Sequence, residues 1–169
     1  MAHRNSKGDP QHVKDGRRTP PALYAWLDGI FSFDYDLACT RENCLAPRGF
    51  FWPEFDSLKT SWWLHTGPGF CNPPYGDPDP WVEKAVLEGR RGATSVLLLP
   101  CPNGEIRSEM VLNNAHITWI IGRISFIHAV TGLPETGNTS GSIIAVFGSM
   151  TEAQKKALPI TIRREEILK

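Results

Sequence analysis

A largely apolar run of β-branched residues and leucines at residues 94–99 restricts the fold of this chain more than any other feature. The run reads Thr-Ser-Val-Leu-Leu-Leu, shows no apolar and polar alternation, and is closed by Pro100. Such runs are typical of strands that are buried on both faces, as in parallel sheets covered by helices. The run therefore predicts a central strand of an α/β sheet.

Helical and strand patterns alternate on both sides of this run. Helices are predicted at residues 20–30, about 80–89 and 105–113. Further strands are predicted at residues 31–38, 68–71, 116–121, 123–130 and 142–147. This alternation predicts an α/β sandwich around a mostly parallel sheet, and the last two strands are expected to add an antiparallel edge.

The chain of 169 residues is the size of one domain. Residues 1–18 are polar, lack periodic apolar positions and carry a net charge of +3, from five basic and two acidic side chains. We predict a flexible basic arm over residues 1–18, a globular domain over 19–150, and a C-terminal helix and tail over 151–169.

Charge and cysteine content exclude several classes of protein. The chain has 18 basic and 18 acidic residues, so it lacks the strongly positive field of a non-specific nucleic-acid binder. Its four cysteines are too few and too scattered for a disulfide framework. Cys39 and Cys44 would need two more ligands to hold a metal, so no metal is predicted. No apolar run approaches a membrane span or a signal peptide, and we expect a soluble cytoplasmic protein.

The sequence Asn-Pro-Pro-Tyr at residues 72–75 carries the most specific chemistry. It follows a predicted strand, which must stop there because the two prolines have no N–H to donate. The side-chain oxygen of Asn72 and the main-chain oxygen of Pro73 can both accept hydrogens of one amino group. Tyr75 can stack on a base that has been taken out of a duplex. A plain proline-rich turn with a buried tyrosine is the alternative.

An amino group conjugated to a purine ring is a weak nucleophile, because its lone pair is delocalised. Two acceptors aimed at its hydrogens favour a more nucleophilic nitrogen, above all where water is excluded. Attack on the methyl group of a sulfonium needs mainly alignment, since the leaving group departs neutral.

Two earlier stretches predict a ligand site. The N-terminus of the predicted helix at Thr19 and Pro20 has free N–H groups that can hold a carboxylate, although an ordinary capped helix is an alternative. Asp36 lies near the end of a predicted strand, and ligands of open α/β sheets bind at the carboxyl ends of strands.

Together these motifs resemble the small phage and prophage DNA N6-adenine methyltransferases over about residues 19–147. The resemblance includes Asn-Pro-Pro-Tyr-Gly at residues 72–76 and the strand ending at Pro100. It is also carried by Thr19, Pro20, Leu23, residues 33–39, Asn43, Cys44, Phe51, Asp56, Leu58, Trp62, Trp81, Lys84, Arg123, Phe126 and residues 141–147.

The resemblance implies a Rossmann-like methyltransferase domain, S-adenosylmethionine as methyl donor and adenine N6 in DNA as acceptor. The catalytic residues would be Asn72, Pro73, Pro74 and Tyr75. The donor would be bound by Thr19, Pro20, Asp36 and Ala38, with Glu42, Asn43 and Asp56 as candidates for the ribose. Arg17, Arg18, Lys84, Arg90, Arg91 and the loop at residues 131–141 would contact DNA.

The sequence departs from larger methyltransferases in one respect, because no glycine-rich turn follows Asp36. Two other functions stay open, the first because the motif at residues 72–75 alone does not select the amine, and the second because the glycine turn is missing. One is methylation of another planar amine, in RNA, at cytosine N4 or in a protein glutamine. The other is a non-catalytic DNA-binding or inhibitory protein that retains the fold, against which the intact motif at residues 72–75 argues.

Overall fold

The structure is a computed structural model that describes residues 4–5, 10–51, 55–136 and 140–167. Its helices are α1 (Gln11–Asp15), α2 (Pro21–Phe31), α3 (Asp79–Arg90), α4 (Glu105–Asn114), α5 (Glu152–Ala157) and α6 (Arg164–Ile167). Its strands are β1 (Arg4–Asn5), β2 (Tyr35–Cys39), β3 (Arg48–Phe51), β4 (Gly69–Cys71), β5 (Ser95–Pro100), β6 (Ala115–Ile121), β7 (Glu135–Thr136), β8 (Ser142–Phe147) and β9 (Thr161–Arg163).

Seven strands form one sheet in the order β3-β2-β4-β5-β8-β6-β9. All neighbouring pairs are parallel except those made by β8, which runs antiparallel to both β5 and β6. Helices cover both faces of the sheet. The predicted fold class, a reduced Rossmann-like methyltransferase sandwich with a mostly parallel sheet, is confirmed.

The strand β5 shows why the apolar run at residues 94–99 was informative. Val96 and Leu98 pack in the core cluster that contains Leu23 and Leu27 of α2. Leu97 and Leu99, on the other face of the strand, pack in the second cluster, with residues of α3 and α4. Because a strand alternates its side chains between two faces, a strand covered by helices on both sides needs apolar residues throughout.

The order of the strands reverses between β2 and β4. β3 lies on one side of β2, whereas β4 and β5 follow on the other. Gly69 allows β4 to approach β2, since a Cβ atom at this position would lie 2.6 Å from a methyl carbon of Leu37. The carboxyl ends of β2 and β4 therefore flank a topological switch point, where open α/β sheets form their ligand crevice.

The strand predicted at residues 31–38 begins too early. Helix α2 continues through Phe31 and ends at Ser32, which adopts a left-handed conformation with φ 54°. The Asp28 carboxylate accepts a hydrogen bond from the N–H of Phe33 and helps to end the helix. Strand β2 then starts at Tyr35, so Asp36 is its second residue and lies before the strand end.

The strand predicted at residues 123–130 is wrong. Gly122 leaves β6 with φ 101°, and within the described residues Ile127 makes only isolated bridges, to Arg18 and Pro134. The ring nitrogen Nδ1 of His128 accepts hydrogen bonds from the N–H groups of Val130 and Thr131. These bonds turn the chain, so β8 pairs instead with β5 and β6.

Both predicted terminal segments contribute regular structure. α1 lies within residues 1–18, and β1 pairs with β7 in a separate two-stranded sheet. Within residues 151–169, β9 joins the main sheet beside β6, and Ile167 is buried. The predicted boundaries at residues 18 and 150 stay a prediction. None of the described helices is both long enough and apolar enough to span a bilayer.

Candidate active site

A cavity of about 340 Å³ lies at the carboxyl ends of β2 and β4. It falls within the range of small-molecule sites. Predicted site residues from four parts of the chain line it, namely Arg17, Arg18, Thr19, Asp36, Ala38, Asn43, Asp56, Asn72 and Pro74. The structure therefore brings together most residues that the sequence assigned to the donor and to catalysis.

Asp36 supplies a buried carboxylate to this cavity. Its Oδ1 atom accepts a hydrogen bond from the N–H of Ala38 at 3.2 Å, and its Oδ2 atom accepts one from the N–H of Leu45 at 3.1 Å. Burial raises the pKa of Asp36 to about 6, against the opposing effect of these two N–H groups. The carboxylate is thus held in place and changes charge just below neutral pH.

The turn after β2 is built without glycine. The side-chain oxygen of Asn43 accepts a hydrogen bond from the N–H of Thr40 at 2.6 Å, and a second from the Thr40 hydroxyl at 3.3 Å. An Asn side chain can close a turn in this way, through its own acceptor. Asn43 therefore closes this turn through its side chain and lines the cavity.

Asp56 lies on the segment between β3 and β4 and lines the cavity. Its Oδ1 atom accepts a hydrogen bond from the N–H of Leu58, and its Oδ2 atom pairs with Lys59 at 3.0 Å. The hydrogen bond from Lys59 outweighs the effect of burial and lowers the pKa of this carboxyl. Asp56 is therefore a second carboxylate on the cavity wall, whereas Glu42 does not line the cavity.

Glu88 of α3 holds this loop, and sequence reasoning missed it. Its side chain is fully buried, and its Oε2 atom accepts hydrogen bonds from the N–H groups of Trp62 at 2.9 Å and Trp63 at 3.0 Å. Burial alone would raise the pKa of Glu88, but the hydrogen bonds from Lys84 and from these N–H groups lower it overall. The fixed charge anchors the segment that carries Asp56.

Asn72 follows the last residue of β4 and lies between two spaces. It lines the large cavity and also a small space of about 10 Å³ beside Pro73, Tyr75 and Phe126. Its Nδ2 atom donates to the main-chain oxygen of Arg17 at 3.4 Å. Its Oδ1 atom is buried and has no hydrogen-bond partner within the part of the chain that the structure describes.

The rest of the motif divides between the two spaces. Pro74 lines the large cavity, whereas Pro73 and Tyr75 line the small one. The Tyr75 ring meets Phe126 edge-on, with centroids 5.2 Å apart, and its hydroxyl donates to Ser142 at 3.3 Å. Burial raises the pKa of Tyr75, so its hydroxyl stays protonated. Phe126 was named as part of the resemblance but not as a site residue.

Thr19 and Pro20 precede α2. Thr19 is buried and lines the cavity, while Pro20 is the N-cap residue of the helix and does not line it. Among the described contacts, no side chain caps this N-terminus. Because Thr19 lines the cavity, the first N–H groups of the helix lie close to it. Their position and their positive polarity fit the predicted carboxylate site.

Three of the predicted DNA-contacting residues lie on or just after α3. Lys84 and Arg91 both pair with the buried Glu88, at 2.8 Å and 3.4 Å. Arg90 is exposed and donates to Asn114 at 3.2 Å. A helix that follows a parallel strand starts at the carboxyl edge of the sheet, so Arg90 and Arg91 lie at the end of α3 remote from the cavity. Their contact with DNA stays a prediction.

Arg17 and Arg18 lie beside the motif. The Arg17 guanidinium pairs with Glu135 at 2.6 Å. Arg18 pairs through its main chain with Ile127, and its Nη2 atom donates to the oxygen of Ala129 at 3.3 Å. Both residues line the cavity. The N-terminal segment therefore packs against the loop that follows β6.

Cys39 and Cys44 lie together near Asp36. One ligand atom from each of these three residues falls within 4.8 Å of the others. The Asp36 carboxylate already accepts two main-chain hydrogen bonds, and burial raises the pKa of both thiols. Asp36 is thus one further possible ligand beside the two cysteines, whereas a metal site would need two. The expectation of no metal stays a prediction.

Comparison with known proteins agrees with this geometry. A family model described as DNA N-6-adenine-methyltransferase (Dam) matches residues 6–169. A DNA N-6-adenine-methyltransferase of Escherichia phage T1 is 31% identical over 172 residues, which cover 90% of this chain and 71% of the relative. A protein of the same name from Haemophilus phage HP1 is 28% identical over 143 residues, which cover 79% of each. The chain belongs to the DNA N-6-adenine-methyltransferase (Dam) family.

Proposed function

We propose that this chain transfers a methyl group from S-adenosylmethionine to the N6 amine of adenine in DNA. Membership of the Dam family supports the reaction and the DNA substrate. The observation that carries the assignment to this site is the buried Oδ1 atom of Asn72, which lacks a partner among the described residues and lies between the two spaces. A buried acceptor without a donor is rare in proteins and fits one that is kept for a ligand.

The large cavity fits the donor in size and in chemistry. Its volume of about 340 Å³ suits a nucleoside-sized ligand, and it offers two carboxylates, Asp36 and Asp56. We assign these carboxylates to hydroxyl groups of the ribose. Thr19 and the N-terminus of α2, with Pro20 as its N-cap, are assigned to the methionine carboxylate. Ala38 and Asn43 form the wall between them.

The bound donor supplies an electrophilic methyl group on a sulfonium. The residues of this chain prepare the nucleophile. The Oδ1 atom of Asn72 and the main-chain oxygen of Pro73 accept the two hydrogens of the adenine amine, which favours a lone pair directed at the methyl group. Pro74 has no N–H to compete for these acceptors.

The acceptor side is closed in this structure. The space beside Pro73 and Tyr75 measures about 10 Å³, which is close to the room that one water molecule needs. Lys14 and Asp15 line its other side. Adenine therefore enters only after these side chains move, and it must first leave the DNA stack. Arg18 lines the large cavity and stays among the residues that we propose to contact DNA.

A labelling experiment tests this function. In three separate reactions, the protein is incubated with S-adenosylmethionine that carries a labelled methyl group and with unmethylated DNA, RNA or protein. Label on DNA, recovered as N6-methyladenine after digestion to nucleosides, is the expected result. Label on cytosine, on RNA or on protein would show that the substrate is that molecule and not adenine in DNA. Absence of both label and donor binding would favour the non-catalytic alternative.

A further inference from the structure

We infer that the buried pair of Arg17 and Glu135 orients the amide of Asn72, so that both are positioning residues for the methyl transfer. This inference rests on the proposed function. Arg17 was predicted from the sequence as a DNA contact. In the structure its side chain is only 17% exposed, and its Nε atom lies 2.6 Å from the Oε2 atom of Glu135, which is 4% exposed.

Glu135 is itself held by the loop that follows β6. Its N–H donates to the main-chain oxygen of Phe126 at 2.7 Å, and its Oε1 atom lies 3.9 Å from the Nε2 atom of the buried His128. Arg18 and Ile127 exchange two main-chain hydrogen bonds of 2.9 Å each. The backbone at residues 17–18 is therefore tied to the loop on both sides of the Arg17 carbonyl.

The Arg17 carbonyl contacts the central residue of the motif. It accepts a hydrogen bond from Nδ2 of Asn72 at 3.4 Å. A primary amide carries its donor and its acceptor on opposite branches of one plane. Fixing Nδ2 on the Arg17 carbonyl therefore directs Oδ1 away from it, into the site where it has no partner among the described residues.

The orientation of this amide decides whether the site can work. With Oδ1 towards the adenine, Asn72 accepts a hydrogen from the amine. With the amide rotated by half a turn, the NH₂ group would face the amine hydrogens and repel them. The Arg17 carbonyl favours the first orientation, because a carbonyl can accept from Nδ2 and cannot donate to Oδ1.

The test is the change Glu135→Gln, which keeps the shape of the side chain and removes its charge. We expect kcat for DNA methylation to fall about tenfold, which is less than the roughly 100-fold or larger loss on complete removal of one preorganised hydrogen-bonding group. The dissociation constant for S-adenosylmethionine and the KM for DNA should each change less than about twofold. The variant Arg17→Lys keeps the positive charge and should retain at least half of the wild-type kcat. Glu152→Gln is the matched control, since it removes only an exposed pair with Lys155.

Three outcomes would overturn the inference. A raised KM for DNA with unchanged kcat would make Arg17 a DNA contact. If Glu135→Gln lowers the donor affinity, kcat and the melting temperature together, the pair is merely structural. Unchanged kcat in Glu135→Gln would leave it without a role in the reaction.

A second readout does not depend on activity. The side-chain NH₂ signals of Asn72 in a ¹⁵N–¹H spectrum, identified by their loss in Asn72→Asp, should shift in Glu135→Gln and stay in place in Glu152→Gln. Unshifted signals in Glu135→Gln would contradict the inference. Failure of the proposed function is distinct, because the wild-type protein would then not methylate DNA while the spectral shift could still be measured.

Discussion

The two sides that we propose for this site, one for the methyl donor and one for the adenine acceptor, differ in how far they are formed. The donor side is a cavity of about 340 Å³, whereas the acceptor side is a space of about 10 Å³. The donor side is built on the ends of β2 and β4 and on a loop anchored by the buried Glu88. The acceptor side is lined in part by Lys14 and Asp15 of the N-terminal segment. A parallel sheet thus fixes one half of the site, and the other half must open.

Asn72 is where the two halves meet, so its replacement should have the largest effect. Asn72→Ala removes the acceptor for the adenine amine and leaves the donor cavity in place. We expect kcat to fall at least ~100-fold, by analogy with removal of one preorganised hydrogen-bonding group. Donor affinity, measured by calorimetry, should change less than about threefold. The matched control is Asn103→Ala, which alters an exposed residue that lines neither the cavity nor the small space.

Tyr75→Ala should affect the acceptor side alone. Loss of a stacking surface for the extruded base costs ~1–3 kcal/mol, so affinity for DNA should weaken about 30-fold. Tyr75→Phe keeps the ring and removes only the hydrogen bond to Ser142, so its affinity should stay within about threefold. Fluorescence anisotropy with labelled DNA measures both. Equal losses in the two variants would contradict stacking.

Asp36→Asn should affect the donor side alone. The change keeps the side-chain shape but removes the charge and one of the two acceptors that hold Ala38 and Leu45. We expect donor affinity to weaken about tenfold, the range for losing one charged hydrogen bond. Affinity for DNA should be unchanged. A DNA affinity that falls in parallel would show that the two halves are not independent.

The pH dependence of donor affinity should be smaller still. The pKa of Asp36 is raised to about 6, so the carboxylate is mostly ionised at pH 7 and mostly protonated at pH 5. Donor affinity should therefore fall several-fold between these values.

The raised pKa also means that protonation of Asp36 stabilises the folded state below about pH 4, and this contribution is lost as pH rises through 6. Both dependences should vanish in Asp36→Asn, as titrations and urea melts at several pH values would reveal.

The sequence predicted those parts of the molecule whose signal is local. The run at residues 94–99 became β5, and the apolar pattern after Pro20 became α2, although no described side chain caps this helix. The parallel strands β2 and β4 brought Asp36 and Asn72 to one cavity, as the fold class implied, although Asp36 lies within β2 and not at its end. Each of these features depends on residues close together in the chain or on a general rule for parallel sheets.

The parts that were missed depend on contacts between distant residues. Arg17 and Glu135 are far apart in the sequence and have no pattern that joins them. Glu88 reads as one more charge on an amphipathic helix, although it is fully buried. Residues 123–130 have the apolar content of a strand, but the hydrogen bonds of His128 turn the chain. Packing decides each case, and local sequence does not show it.

Calorimetry of S-adenosylmethionine binding in the absence of DNA tests the central claim most directly. The account predicts one saturable site in the wild-type protein, retained in Asn72→Ala and weakened about tenfold in Asp36→Asn. This pattern would show a donor half that is complete before the acceptor half opens. Donor binding that requires DNA, or that is lost in Asn72→Ala, would contradict it.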